Sequence, residues 1–83
     1  MILSRQKNPR PRSYVASLMS KGEDQILRKV GEEATELTLA SKKDSGEEIV
    51  SEAADLLFHT LVLLAYKGRN ISEVFEELKS RRK

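Results

Sequence analysis

The chain has 83 residues, a net charge of +2 and no cysteine. That length makes one domain with a modest core, and the missing thiols exclude disulfide bracing and thiolate metal sites. A single histidine excludes a multi-histidine metal site, and no uninterrupted apolar run of about eighteen residues is present, so no membrane span is expected.

The chain opens on a basic segment, residues 1–12, in which Arg5, Lys7, Arg10 and Arg12 stand without an acid. Pro9 and Pro11 predict an extended path from Asn8 to Arg12. The start lacks the continuous apolar core of a secretory signal, which makes the cytoplasm the expected compartment. From residue 13 to 83 the pattern is helical. Ser13 can cap a short helix from Tyr14 to about Ser20, which Lys21-Gly22 ends. A second helix is predicted from Glu23 to Lys43. It has Ile26, Leu27, Val30, Ala34 and Leu37 as its apolar stripe, acids at its start and Lys42-Lys43 at its end. Asp44-Ser45-Gly46 reads as a turn. A third helix should run from Glu47 to Lys67, broken by Gly68-Arg69-Asn70. Ser72 then reads as the N-cap of a fourth helix reaching about Arg82, with Ile71, Val74, Phe75 and Leu78 facing inward. No strand pattern appears, so the fold class is all-α. The tight link between helices two and three makes them an antiparallel pair.

The third helix is apolar around nearly its whole circumference between Ile49 and Tyr66, which is the signature of a buried helix. The gap is a narrow stripe of Glu48, Glu52, Asp55 and His59. Unpaired buried carboxylates are very costly, so something positive must meet that stripe. Helix two carries Lys29, Glu32, Glu33 and Glu36 beside its apolar face. The pairs Glu33-x-x-Glu36 and Glu52-x-x-Asp55 each fall on one face of a helix. The antiparallel hairpin can bring them side by side, and four converging carboxylates suit a hard cation such as Mg²⁺. A carboxylate-held Mg²⁺ can grip a polyphosphate and orient a water for attack on phosphorus.

Each of these residues also has a plainer reading. A lone E-x-x-E on a helix is ordinarily a solvated face, here paired with Lys29. It is the second acidic pair, set inside an apolar helix, that favours the metal. Glu32 and Glu48 are candidates to complete the metal shell, although an acid near a helix start needs no such role. Lys21, Lys29 and Arg28 are the candidate phosphate-neutralising cations. His59 reads first as a structural residue, with orientation of a carboxylate or contact with a phosphate as the alternative. Tyr14 and Phe75 read as core or interface side chains.

Four strings together carry a family resemblance. They are Ser13-Tyr14-Val15-Ala16-Ser17-Leu18, Lys21-Gly22, Ile26-Leu27-Arg28-Lys29-Val30-Gly31-Glu32-Glu33-Ala34-Thr35-Glu36, and Ser51-Glu52-Ala53-Ala54-Asp55-Leu56-Leu57-Phe58-His59. From about Ser13 to Arg82 the chain resembles the phosphoribosyl-ATP pyrophosphohydrolases of histidine biosynthesis, within the all-α, MazG-like nucleotide pyrophosphohydrolases. The resemblance implies a four-helix bundle completed by oligomerisation, as a homodimer or a dimer of dimers. It implies Mg²⁺ held by Glu33, Glu36, Glu52 and Asp55. The implied reaction is hydrolysis of phosphoribosyl-ATP to phosphoribosyl-AMP and pyrophosphate, the second step of histidine biosynthesis. Neither a nucleic acid nor a membrane partner is expected. Two rival readings are a MazG-like enzyme acting on non-canonical nucleoside triphosphates and a non-enzymatic helical module binding nucleic acid through its basic ends. The second rival has no use for carboxylates inside an apolar helix.

Overall fold

The structure, a computed structural model, describes residues 12–82, and the basic segment before Arg12 lies outside the described residues. Four helices follow in order: α1 (Arg12–Lys21), α2 (Glu23–Lys43), α3 (Gly46–Tyr66) and α4 (Ile71–Ser80). No strand occurs among the described residues. The predicted bounds of the two long helices hold to within one residue at each end. At the N-terminal end the prediction needs correction. Arg12 and Ser13 are already helical, so Arg12 is not extended and Ser13 is not a cap.

Gly22 alone joins α1 to α2. Its φ of 97° with ψ 179° is a positive-φ, extended conformation essentially confined to glycine, which costs a side-chain-bearing residue about 1–3 kcal/mol. In that conformation its N–H donates to the carbonyls of Leu18 and Met19, closing α1, while its own carbonyl accepts from Ile26 N–H and opens α2. Asp44 closes α2 in the left-handed region, with φ 61°. The Ser45 hydroxyl caps α3 by accepting from Glu48 N–H at 3.4 Å. A two-residue link thus reverses the chain and lays α3 antiparallel along α2. An exposed ion pair clasps each end of the hairpin: Glu23–Lys67 at 2.9 Å and Lys43–Glu48 at 2.7 Å. Such surface pairs contribute about 0–1 kcal/mol each, so packing holds the hairpin.

That packing is a small core of Leu18 from α1, Ile26 from α2 and Val62 from α3, flanked by Tyr14, Met19, Phe58 and Leu63. The three helices meet there because Ile26, on α2's apolar stripe, faces the one short helix that Gly22 folds back. This cluster lies at the end of the hairpin remote from its turn, and Ala40 is buried separately near the turn.

Two expectations about burial are corrected within the single chain. Much of α3 is exposed, with Val50 67% and Leu57 54% accessible. These two and Leu61 lie on the side opposite Glu52 and His59. In α4, Phe75 and Leu78 do not face inward but are more than half exposed. Ser72 is not the cap of that helix. Asn70 is, in a capping box with Glu73. The hydropathy period identifies which side of a helix is apolar, but one chain of this size lacks the helices to cover both sides of α3 and the apolar side of α4. By length and composition α3 is also apolar enough to cross a membrane. It carries Glu52, Asp55 and His59 at mid-length, where ionisable groups in hydrocarbon would be expensive.

Candidate metal centre and active site

The two acidic pairs are brought together by the hairpin. Glu33 projects from α2 into the interface with α3 and is buried, with 8% of its surface exposed. Glu52 and Asp55, one turn apart on α3, face it. One carboxylate oxygen from each of Glu33, Glu52 and Asp55 lies within 4.8 Å of the others. Glu36, one turn along α2, is exposed and stands outside this trio, yet its charge acts on Glu52. The Glu52 carboxyl is pushed above the ordinary carboxylic range. Burial is the main cause, followed by the negative charges of Glu33, Asp55 and Glu36 and a hydrogen bond shared with Glu33. Crowded carboxylates that raise one another's affinity for a proton will equally favour a cation between them. The donor set is all oxygen, which fits a hard divalent ion and not a soft one.

The other sequence-predicted residues are distributed around this cluster. Lys29 stands one turn before Glu33, its ammonium 3.5 Å from Glu32 and 3.6 Å from Glu33. Glu32 points outward from the trio and is held by that lysine. Arg28 donates to the Gln25 side chain at 2.8 Å on the exposed surface of α2. Lys21 is the exposed last residue of α1. Glu48 sits at the turn, engaged by Lys43.

His59 is fully buried and takes its structural role. Its Nδ1 lies 2.8 Å from the Asp55 carbonyl oxygen, and its Nε2 lies 2.8 Å from the Tyr14 hydroxyl. A carbonyl only accepts, so Nδ1 carries the proton, and the Tyr14 hydroxyl donates to Nε2 in the neutral ring. Both ring nitrogens are therefore engaged. The ring also meets Phe58 edge-on at 5.1 Å between centroids. Tyr14 thereby belongs to the core, as its sequence context suggested.

A cleft of about 340 Å³ opens between the carboxylate cluster and the hairpin turn, with Glu36 and Glu52 in its wall, Leu39 and Ala40 along it, and Lys42 and Lys43 at its far side. The sequence reading used those two lysines only as partners of the α2 dipole. The signal that could have found Lys43 is its distance of seven residues from Glu36, about two helical turns along the same side.

These features define a class: an all-α protein whose antiparallel helices hold an E-x-x-E/E-x-x-D carboxylate centre able to take a metal ion, with an adjoining cleft rimmed by lysines. Residues 1–82 match the family model described as Phosphoribosyl-ATP pyrophosphohydrolase, and the chain belongs to that family. The match takes in the basic N-terminal segment that the motif resemblance left out. The chain is 56% identical over 81 residues to the phosphoribosyl-ATP pyrophosphatase of Geotalea daltonii, covering 98% of this chain and 76% of the relative. It is 52% identical to the protein of that name from Pelobacter propionicus, covering 98% and 75%. Identity is 49% to the one from Bacillus cereus (strain AH820), covering 96% and 75%.

Proposed function

We propose that this protein hydrolyses phosphoribosyl-ATP to phosphoribosyl-AMP and pyrophosphate, as a cytoplasmic Mg²⁺-dependent enzyme of histidine biosynthesis. The observation that carries the reading is the convergence of Glu33, Glu52 and Asp55 in a chain about half identical to proteins named for that activity. Glu33, Glu52 and Asp55 hold the ion, and Glu36 completes or steadies its shell from the rim. Glu32, engaged by Lys29, acts on the ion at longer range, whereas Glu48 is engaged by Lys43 at the hairpin turn. When bound, Mg²⁺ supplies positive charge to the phosphate oxygens and lowers the pKa of a coordinated water. Lys29 adds an ammonium beside Glu33, while Lys21 and Arg28 contribute positive potential to the approach of a polyanion. The reaction breaks the anhydride between the α and β phosphates. Water's oxygen ends on phosphorus, pyrophosphate leaves, and the water's proton passes to solvent or to a cluster carboxylate.

The active protein is a homodimer or a dimer of dimers. The exposed strip of Val50, Leu57 and Leu61 and the exposed Phe75 and Leu78 support this, since contiguous apolar patches above a few hundred Å² are uncommon on monomers. A monomeric mass by light scattering at micromolar concentration, with activity retained, would refute it.

The deciding assay is pyrophosphate release from phosphoribosyl-ATP with and without Mg²⁺. Metal-dependent release is expected. No release from this substrate, but turnover of a panel of non-canonical nucleoside triphosphates, would replace the reading with the broader MazG-like activity.

A further inference from the structure

The cleft beside the carboxylate cluster has a charge pattern that the metal centre does not account for. One wall carries Glu36 and Glu52, and Glu52 also belongs to the metal cluster. The opposite end carries Lys42 and Lys43, both exposed. Glu48 lines the same end as the two lysines, so with a cation bound at one end and two ammonium groups against one carboxylate at the other, both ends of the cleft offer positive charge. The cations expected from sequence are less well placed. Lys29 is already shared between Glu32 and Glu33, and Arg28 is turned to Gln25. Neither lines this cleft.

We propose that Lys43 is a phosphate-binding residue of this enzyme, which leaves Glu48 to grip the diphosphate that departs as pyrophosphate. The inference rests on the activity proposed above. In a triphosphate the terminal two groups carry most of the charge, so they gain most from an ammonium. The Lys43–Glu48 pair is short, at 2.7 Å, yet its two side chains are 63% and 51% exposed. An exposed pair is worth little, so a phosphate oxygen can displace Glu48 at little cost. Glu48 therefore occupies the ammonium while the cleft is empty and releases it when a diphosphate arrives. Lys43 also stands where the chain turns from α2 to α3. Its backbone is tied into the hairpin, and only the side chain needs to swing.

The test is binding of inorganic pyrophosphate in the presence of Mg²⁺, followed by calorimetry, alongside steady-state hydrolysis of phosphoribosyl-ATP. Lys43→Met should weaken pyrophosphate at least about tenfold, which is about 1.4 kcal/mol, with a matching rise in its inhibition constant. Lys43→Arg should restore most of the affinity. Glu48→Gln, which frees the ammonium, should bind pyrophosphate as tightly as the parent or more tightly. The last variant separates a grip from a merely structural ion pair, because both Lys43→Met and Glu48→Gln destroy the pair. Equal weakening in those two variants would overturn the proposal, as would pyrophosphate affinity in Lys43→Met within about twofold of the parent. Loss of affinity for AMP with pyrophosphate unaffected would assign the cleft to the nucleoside end and overturn it as well. A parent protein that binds pyrophosphate through Lys43 but does not hydrolyse phosphoribosyl-ATP would refute the activity and leave the diphosphate site standing.

Discussion

Glu52 and His59 lie on the same stripe of α3, two turns apart, and they have opposite environments. His59 is enclosed, and each of its ring nitrogens faces one complementary partner, the Asp55 carbonyl and the Tyr14 hydroxyl. Glu52 is partly buried and faces Glu33, Asp55 and the charge of Glu36, and that burial, followed by those charges, displaces its carboxyl upward. One end of the stripe is satisfied by a carbonyl and a hydroxyl, whereas at the other, among the described residues, Glu52 is crowded by acids. A polar group inside an apolar helix is thus not by itself a sign of function. A crowd of like charges is the sign, and it can be seen only when the neighbours are in place. His59 belongs to the framework that holds α1 on the hairpin, and Glu52 belongs to the proposed metal centre.

The sharpest way to break this comparison is to neutralise the acidic end. Glu52→Gln and Asp55→Asn should each lower kcat/KM about a hundredfold or more, as losses at a metal centre do. Circular dichroism should show the helices intact. The melting temperature of the metal-free Glu52→Gln protein should rise, because a repulsive charge has gone. Near-parental activity in both variants would remove these residues from the metal.

Tyr14→Phe should act in the opposite sense. It withdraws a hydrogen-bond partner from a buried ring nitrogen, a loss of about 1–3 kcal/mol of stability. Because Tyr14, among the described residues, meets the site through His59, kcat/KM per folded molecule should stay within about threefold. Thermal unfolding and kinetics on one preparation would separate the two effects. A large fall in kcat with unchanged stability would make His59 part of the chemistry.

Lys29→Met probes a residue between the two extremes. As an ion-pair partner alone it contributes about 0.2–0.5 kcal/mol, and its loss would leave kinetics unaltered. As a phosphate contact its removal should lower kcat/KM about tenfold, which is about 1.4 kcal/mol. The magnesium dependence of the rate, measured beside that value, distinguishes substrate contact from disturbance of Glu33.

The smallest effect is the pH dependence of stability without metal. Glu52 has a folded-state pKa raised above the ordinary 4.5. The folded protein therefore holds a proton that the unfolded chain has lost, and this stabilises the fold. The contribution is complete below about 4.5 and is lost as pH rises through the raised value. The metal-free protein should melt at a lower temperature near neutrality than in mild acid just above 4.5. Glu52→Gln should flatten that slope, and so should saturating Mg²⁺. A slope unchanged in the variant would assign it to another group.

Most of the architecture was legible in the sequence because it depends on local rules. The bounds of α2 and α3 follow from Gly22, the Asp44-Ser45-Gly46 turn and the acids and lysines at the helix ends. The two-residue link leaves α3 no course except back along α2. The spacing of Glu33, Glu52 and Asp55 then places them on facing sides, so their convergence could be anticipated from helix periodicity. Only the tertiary structure decided how each polar residue is matched. The capping of α4 by Asn70 and not Ser72 turned on which of two adjacent side chains reaches the free N–H groups. The exposure of Phe75 and Leu78 shows that periodicity reports the apolar side of a helix without reporting what covers it. The engagement of both His59 nitrogens needed Tyr14, which is 45 positions away in the sequence. The cleft with Lys42 and Lys43 at its rim needed the meeting of two helices. Local hydrogen bonding and periodicity are encoded over a few neighbouring residues, whereas partnering and enclosure depend on atoms from distant parts of the chain arriving in the same place.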